Sequence, residues 1–187
     1  MCNIGDIVAD SVGLVEFEAN RHRLKIVSEI APDIPQVELD PVLIQQVLVN
    51  LLKNSLDSLR EVYPLSSRWS APPVKISADL ETNTFPSMLR IRVTDAGAGI
   101  AESVISRMFE PFFSTKSDGM GMGLNICRSI IESHHGRLWA KNHMDTEHTR
   151  LVGCTFTILL PLESNQITKT SIGNSNEHEQ STENNPG

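Results

Sequence analysis

One segment limits the possible folds of this chain more than any other, "PVLIQQVLVNLLKNSLDSLREV" at positions 41–62. Asp40 stands at a helix N-cap position and Pro41 at the first helical position, which together predict a helix that ends at about Val62. Leucine and valine fill most of the positions of this helix. A helix of this composition is buried against a second layer of secondary structure, which the rest of the chain must supply.

The second layer is predicted to be a β-sheet. The segments "VKISADL" (74–80) and "MLRIRVT" (88–94) alternate apolar and polar residues, and "TNTFPS" between them indicates an antiparallel hairpin. Because the strands follow one another through local connections, we expect an α+β fold: a two-layer α/β sandwich with a mixed, mainly antiparallel sheet covered by helices on one face. The remaining predicted elements are strands at 22–30, 137–142 and 154–161, and helices at 6–20 (interrupted at Gly13), 102–108 and about 124–135.

Composition argues against several classes of function. The net charge of -7, without a local basic cluster, argues against nucleic acid as the main ligand. No run of 18 apolar residues occurs, and the first residues lack the pattern of a signal peptide. The three cysteines, Cys2, Cys127 and Cys154, form no C-x-x-C motif and cannot all pair. We therefore expect a reducing, cytoplasmic setting, as part of a parent protein that could itself be anchored in a membrane.

The long predicted helix carries a narrow polar stripe. With Asn50 as reference, 100° per residue puts Asn54 at about +40° and Asp57 at about −20°. One interpretation is the exposed face of an amphipathic helix. The other is a set of oxygen ligands for a hard cation such as Mg²⁺, which takes one or two protein oxygens together with water and phosphate.

Two further segments combine chemistry with turns. In "VTDAGAGI", Asp95 ends a strand, and Gly97 and Gly99 allow a sharp turn beside a carboxylate that can accept a hydrogen bond from an amine such as that of adenine. An ordinary Asp-Gly turn is the alternative. In "MFEPFFSTK", Phe109 and Phe113 would anchor the two ends of a loop that covers a pocket, or the loop is only held by hydrophobic contacts. Lys116 follows, where it could meet a phosphate.

A glycine-rich turn, "SDGMGMGLNICRSII", precedes the last predicted helix. Gly119, Gly121 and Gly123 leave backbone N–H groups able to converge on an anion, and the helix that starts near Leu124 adds its positive N-terminus. The turn does not match the P-loop pattern G-x-x-x-x-G-K-[ST].

Taken in order, the asparagine helix, D-x-G-x-G, F-x-P-F and G-x-G-x-G-L resemble the N, G1, F and G2 boxes of sensor histidine kinases. The resemblance covers roughly residues 35–162 and is closest to kinases of the nitrogen-regulation and oxygen-sensing type. It implies a catalytic, ATP-binding domain with a Bergerat-type fold, within the superfamily of gyrase, chaperone, kinase and mismatch-repair ATPases.

The resemblance also implies a role for individual residues. Asn54 would coordinate Mg²⁺, with Asn50 beside it on the metal or the phosphates, and Asp95 would bind the adenine amine. Thr155 matches a threonine that helps to hold the adenine side. The other implied ATP contacts are the catalytic Lys116 and the pocket residues Gly97, Gly99, Phe109, Phe113, Gly119, Gly121, Gly123 and Leu124.

These kinases place their phosphoacceptor histidine before Glu-Leu or a similar pair in a helical hairpin, and none of the six histidines here stands in such a context. We therefore expect a catalytic domain that acts on a dimerisation and phosphoacceptor domain elsewhere and serves a response regulator, the chain itself being monomeric or weakly dimeric. The expected division is an N-terminal helix and strand at 1–34, joined to the end of a dimerisation hairpin, an ATP-binding core at 35–162, and a disordered polar tail at 163–187.

Two alternatives stay open from the sequence: an ATP hydrolase of the same superfamily, and a nucleotide-sensing module without transfer activity. In the hydrolases a glutamate stands one turn before the metal-binding asparagine. Here that position is Asn50, which cannot take up a proton, so the kinase is favoured over the hydrolase.

Overall fold

Five strands and four α-helices make up the described part of the chain. The structure is a computed structural model that describes residues 1–82, 87–115, 121–147 and 149–162. The predicted tail at 163–187 and the hairpin residues 83–86 lie outside the described residues. The elements are α1 (Ile4–Arg21), β1 (Ile26–Ile30), α2 (Pro41–Val62), a 3₁₀ turn (Arg68–Ser70), β2 (Val74–Glu81), β3 (Met88–Asp95), α3 (Glu102–Ile105), α4 (Gly123–Ser133), β4 (Arg137–Met144) and β5 (Leu151–Pro161).

The five strands form one sheet with the order β1-β2-β3-β5-β4. β1 pairs with β2 in parallel, and the other three pairs are antiparallel. The predicted α+β sandwich and its mixed, mainly antiparallel sheet are confirmed, as is the antiparallel pairing of β2 with β3.

The two faces of the sheet differ in chemistry. Alternate residues of β3 and β5, such as Ile91, Val93 and Ile158, are fully buried on the inner face, where α2 packs on β2 and β3 and α4 packs on β4. The outer face carries charged side chains, including Arg92, which contacts Asp79 at 2.5 Å. The core therefore lies between the helices and one face of the sheet, as the alternating pattern predicts.

Local signals explain why α2 forms and where it begins. Asp40 Oδ1 accepts hydrogen bonds from the Val42 and Leu43 N–H groups at 2.9 and 3.1 Å, and Pro41 occupies the first turn. The Asp40 N–H in turn donates to His134 Nε2 at 3.2 Å, which joins the start of α2 to the end of α4. His134 is the C-cap of α4, as expected of a histidine at a helix end.

The first two elements differ from their predicted bounds. α1 runs unbroken through Gly13, because Val8, Ser11 and Val15 bury its inner face while Gly13 faces open space. β1 begins only at Ile26, since residues 22–25 close α1, with Arg23 at φ 59°. α1 packs on α2 and β1 pairs with β2, so the core and the sheet both cross the predicted boundary at residue 34. Among the described helices, none is both long enough and apolar enough to cross a bilayer.

Candidate functional site

The polar stripe of α2 lies between two glycine-bearing segments. Asn50 and Asn54 are half-buried on a helix whose neighbouring residues Leu51, Leu52 and Leu56 are fully buried in the core. Near the C-terminal end of the stripe, Ser58 Oγ accepts a hydrogen bond from the Ala98 N–H at 3.1 Å. The packing of the leucines thus fixes which side chains of α2 face the loop that follows β3.

Asp95 is the buried acid of this site. Its side chain is 5% exposed, and Asp95 Oδ1 accepts a hydrogen bond from the Gly97 N–H at 2.9 Å. Burial raises the pKa of Asp95, and the Gly97 N–H opposes this rise together with the nearby hydroxyls of Ser55 and Ser58. A side chain at position 97 is excluded, because its Cβ would lie 2.1 Å from Ser58 Oγ.

The loop from Asp95 to Ile100 is fixed at its far end by Asn142 of β4. Asn142 Oδ1 accepts a hydrogen bond from the Ile100 N–H at 2.8 Å, and Asn142 Nδ2 donates to the Ile100 carbonyl at 2.6 Å. Gly99, which directly precedes Ile100, adopts φ 70°, a conformation that glycine takes without strain.

Two residues of β5, Gly153 and Cys154, pack against the end of β3 where this loop begins. Gly153 (φ 136°) packs so tightly on the β3 end that a Cβ there would lie 2.1 Å from the Asp95 carbonyl oxygen. Cys154 pairs with Asp95 across the two strands and is buried on the same side as its carboxylate. Burial, followed by the charge of Asp95, raises the pKa of Cys154 to about 12, so this residue is a neutral thiol at physiological pH.

Thr155 lies on the other side of the sheet. Its hydroxyl is 2.8 Å from the Thr94 hydroxyl and 2.7 Å from His143 Nε2, both on the helix-free face. The prediction that the Thr155 side chain lies at the adenine side is therefore wrong. Side chains alternate along a strand, so the inner position belongs to its neighbour Cys154.

The start of α4 contacts the other end of the polar stripe. Asn50 Nδ2 donates to Cys127 Sγ at 3.0 Å, and a Cβ on Gly123 would lie 2.8 Å from Asn50 Nδ2. Burial raises the pKa of Cys127 to about 11, which keeps this sulfur neutral as well. Met122 is the N-cap of α4, and no side chain among the described residues caps its first turn. Leu124 in this turn packs partly on the core. The first N–H groups of a helix can bind an anion.

The segment from Phe109 to Phe113 contacts α4. Asn125 Nδ2 donates to the Phe109 carbonyl at 3.0 Å, Arg128 lies over the Phe109 ring, and Arg107 lies over the Phe113 ring. Gly121, at φ 66°, packs on the Phe112 backbone. Lys116 and Gly119 lie outside the described residues.

The site shows features that suit a nucleotide. Ser55 Oγ is buried beside Asp95, close enough to favour its carboxylate, but it makes no hydrogen bond of standard geometry with the described residues. A buried hydroxyl in this position can hydrogen-bond to a polar ligand. A buried carboxylate can accept from an amine at one end, and a free helix N-terminus can meet phosphate at the other. Asn50 and Asn54 stand between the two.

The structure places predicted residues in two groups along α2, with Asp95, Gly97 and Gly99 near Ser58 and Gly123 against Asn50, and Asn54 lies on the same helix face. Ser58, Asn142, Gly153 and Cys154 were not identified from the sequence. For Cys154 a signal was present, because it shares the period-two pattern of Phe156, Ile158 and Leu160. The other three act through long-range contacts that carry no local signature.

Comparison with known proteins agrees with this geometry. Residues 39–164 match the family described as "Histidine kinase-, DNA gyrase B-, and HSP90-like ATPase". The chain is 37% identical over 161 residues to the C4-dicarboxylate transport sensor protein DctS of Rhodobacter capsulatus, covering 86% of this chain and 22% of DctS. It is also 37% identical over 161 residues to the sensor protein FixL of Bradyrhizobium diazoefficiens, covering 85% of this chain and 28% of FixL.

A solved structure shares the fold along nearly its whole length. The catalytic domain of the histidine kinase ThkA, in a nucleotide-free form, matches with a TM-score of 0.65 and 28% identity, covering 86% of this chain and 93% of that domain. The chain therefore spans about a quarter of the curated relatives but nearly all of an isolated catalytic domain. The chain belongs to the histidine kinase-, DNA gyrase B- and HSP90-like ATPase family, whose ATP-binding domain it contains, and its relatives within that family are sensor histidine kinases.

Proposed function

We propose that this chain is the ATP-binding catalytic domain of a sensor histidine kinase and delivers the γ-phosphoryl group of ATP to a histidine on a separate dimerisation domain. One observation carries the proposal: α2 presents Asn50 and Asn54 between a loop built around the buried Asp95 and the N-terminal turn of α4. This arrangement offers an amine acceptor, a cation ligand and an anion site in a single row.

At the adenine end, Asp95 would accept a hydrogen bond from the exocyclic amine. Gly97 and Gly99 keep side chains away from the base, and the buried Ser55 hydroxyl offers a further polar contact, directly or through water. Phe109 and Phe113 would hold the cover of the pocket through their contacts with Arg128 and Arg107.

At the phosphate end, the Asn54 carbonyl oxygen would hold Mg²⁺, with Asn50 beside it. Held there, Mg²⁺ would supply positive charge to offset the negative charge of the phosphates. Gly121, Gly123 and the first N–H groups of α4 would meet the phosphates, and Lys116 and Gly119 are proposed to add to this contact. Asn50 Nδ2 donates to Cys127 Sγ, and this bond would orient Asn50 Oδ1 toward the site.

The nature of Asn50 favours transfer to histidine over hydrolysis. A water molecule needs a base to become a nucleophile, and an amide at this position cannot accept a proton. A neutral imidazole nitrogen needs no such base. Its lone pair forms the bond to the γ-phosphorus as the bond to the bridging oxygen breaks, ADP leaves, and the phosphoimidazolium then loses the proton on its other ring nitrogen to solvent.

The proposed partners are ATP, the phosphoacceptor domain of the parent kinase and its response regulator, with no role for nucleic acid. The chain alone is proposed to be monomeric or weakly dimeric. A cytoplasmic location belongs to the same proposal, because ATP is the substrate and Cys2, Cys127 and Cys154 are all free.

Transfer to a separate domain tests the proposal. The chain is mixed with a separately produced histidine hairpin domain from a sensor kinase relative and with ATP labelled at the γ-phosphate. We expect label on the hairpin histidine, none on the chain itself, and little phosphate released. Asn54→Ala should abolish labelling with the fold intact, since Asn54 lies outside the buried core. Robust phosphate release without hairpin labelling, lost in Asn54→Ala, would favour the hydrolase instead.

A further inference from the structure

Asn142 occupies a position that neither the sequence motifs nor the proposed ATP contacts include. It lies on β4, where the pairing with β5 shifts register: Asn142 pairs with Cys154, whereas Met144 pairs with Leu151. The extra residue on β5 makes this a bulge, and bulges near functional sites redirect nearby side chains. Here the half-buried Asn142 side chain leaves the sheet and reaches the loop after β3.

The two hydrogen bonds of the Asn142 side chain resemble those that a backbone residue of a neighbouring β-strand makes. Its amide oxygen accepts from the Ile100 N–H at 2.8 Å and its amide nitrogen donates to the Ile100 carbonyl at 2.6 Å. Both backbone groups of one residue are therefore satisfied by one side chain, 42 residues away in the sequence. Of the natural side chains, only those with a primary amide offer a donor and an acceptor together in this geometry.

The Asp95–Ile100 loop has no regular secondary structure and depends on such anchors. The Gly97 N–H is held by Asp95, the Ala98 N–H by Ser58, and Ile100 by Asn142. Gly99 packs against Asn142 as well, since a Cβ there would lie 3.2 Å from Asn142 Oδ1. Without Asn142, the second half of the loop has no other hydrogen bond to the sheet within the described part of the chain, and Gly99 gains space in which to move.

We infer that Asn142 is a positioning residue for adenine recognition, which fixes the Asp95–Ile100 loop in the conformation that admits the base. The inference rests on the proposed function, because it assigns the loop to the adenine end of an ATP site. Asn142 acts through Ile100 and Gly99 and does not touch the phosphates. Its loss lowers the fraction of molecules with a binding-competent loop, and the apparent Kd rises by the same factor.

The test compares ATP and GTP binding to the whole chain by calorimetry. Two hydrogen bonds, each with a typical net contribution, correspond to about 5- to 150-fold in the loop equilibrium. For Asn142→Ala we expect the Kd of ATP to rise several-fold, with that factor as the upper limit, because Kd follows the competent fraction. The Kd of GTP should rise less, because guanine presents no amine to Asp95 and so gains less from the ordered loop, and the preference for ATP falls. Asn142→Asp keeps the acceptor for the Ile100 N–H but sets a carboxylate oxygen against the Ile100 carbonyl, so it should weaken ATP binding at least as much.

Asn3→Ala is the matched control. Asn3 caps α1 by accepting from the Gly5 N–H at 2.8 Å, so its loss lowers stability away from the site and should leave both Kd values unchanged. Wild-type affinity for ATP in both Asn142 variants would overturn the inference. So would a rise in both Kd values by the same factor, because Asn142 would then support only the fold. If the unmodified chain binds no ATP, the proposed function fails, and this inference fails with it.

Discussion

The substitution Asp95→Asn tests the buried carboxylate of the proposed adenine site in two ways. It should weaken the binding of ATP, and it should not lower the stability of the nucleotide-free chain. The replacement is nearly isosteric, and its amide oxygen can still accept from the Gly97 N–H, so the loop keeps its first anchor. What is lost is the negative charge that would face the adenine amine. A hydrogen bond to a charged group contributes about 1.5–3 kcal/mol, so ATP affinity should fall by about 10- to 150-fold.

Guanine provides the internal comparison. It presents a carbonyl oxygen where adenine presents the amine, so it meets Asp95 as a second acceptor, and the unmodified chain should prefer ATP to GTP by about 10- to 150-fold. The asparagine variant can turn its NH₂ group toward guanine, and its preference should fall toward one. Calorimetric titration of both nucleotides into both proteins measures this. Asp33→Asn, on an exposed loop, is the control for the change in net charge.

Stability should change in the other direction. Because burial raises the pKa of Asp95 in the folded state above its ordinary value, the native state binds more protons than the unfolded state between the two values. The contribution of Asp95 to stability therefore falls as pH rises through that window, and at neutral pH its charge destabilises the nucleotide-free protein. Urea unfolding at pH 7 should show Asp95→Asn to be at least as stable as the unmodified chain. Equal affinity of the unmodified chain for ATP and GTP, or a clear loss of stability in the variant, would refute this reasoning.

Three further substitutions test the backbone of the site and of the fold, each by urea unfolding. Gly153→Ala should destabilise the chain by more than about 2 kcal/mol and weaken ATP binding, because its Cβ would clash with the Asp95 carbonyl at φ 136°. Gly13→Ala, the matched change in open space within α1, should instead stabilise by about 0.5–1 kcal/mol, and a loss there would contradict the unbroken helix. His135→Gly should stabilise by about 1 kcal/mol, since His135 holds φ 58° just after α4, where glycine is free of strain; an unchanged midpoint would argue against this conformation.

Elements with local signals could be predicted from the sequence, whereas those decided by packing could not. The start of α2 follows from Asp40 and Pro41, whose hydrogen bonds and fixed φ act within one turn. The break predicted at Gly13 is wrong. Burial of the residues on either side of Gly13 stabilises α1 by more than a single helical glycine destabilises it. The faces of β3 could be predicted from its alternation, which is regular along the whole strand.

The functional site divides in the same way. Asp95, Gly97 and the asparagines of α2 could be proposed from the sequence because their motifs are short and contiguous. Thr155 was assigned to the wrong face because a motif match gives a position in the chain but not the side of the strand to which the residue points. Asn142 and Gly153 depend on the register of β4 and β5 at a bulge, and register is a property of paired strands.

The two ends of the site are built differently, and this difference determines how substitutions should act. The proposed adenine end is held by side chains from α2, β3 and β4 and by close packing of Gly153 of β5, each contacting the backbone of one short loop. The proposed phosphate end rests on side chains of one helix and on the start of another, joined through Asn50 and Cys127. A change at Asp95 or Asn142 should therefore weaken the binding of ATP and ADP by similar factors, because both nucleotides carry the same base.

A change at Asn54 should weaken the binding of ATP more than that of ADP, and only when Mg²⁺ is present, because its proposed contact is with the ion at the phosphates. Affinities of both nucleotides with and without Mg²⁺ would thus assign each residue to one end of the site, and an ADP loss equal to the ATP loss in Asn54→Ala would place Asn54 away from the terminal phosphates.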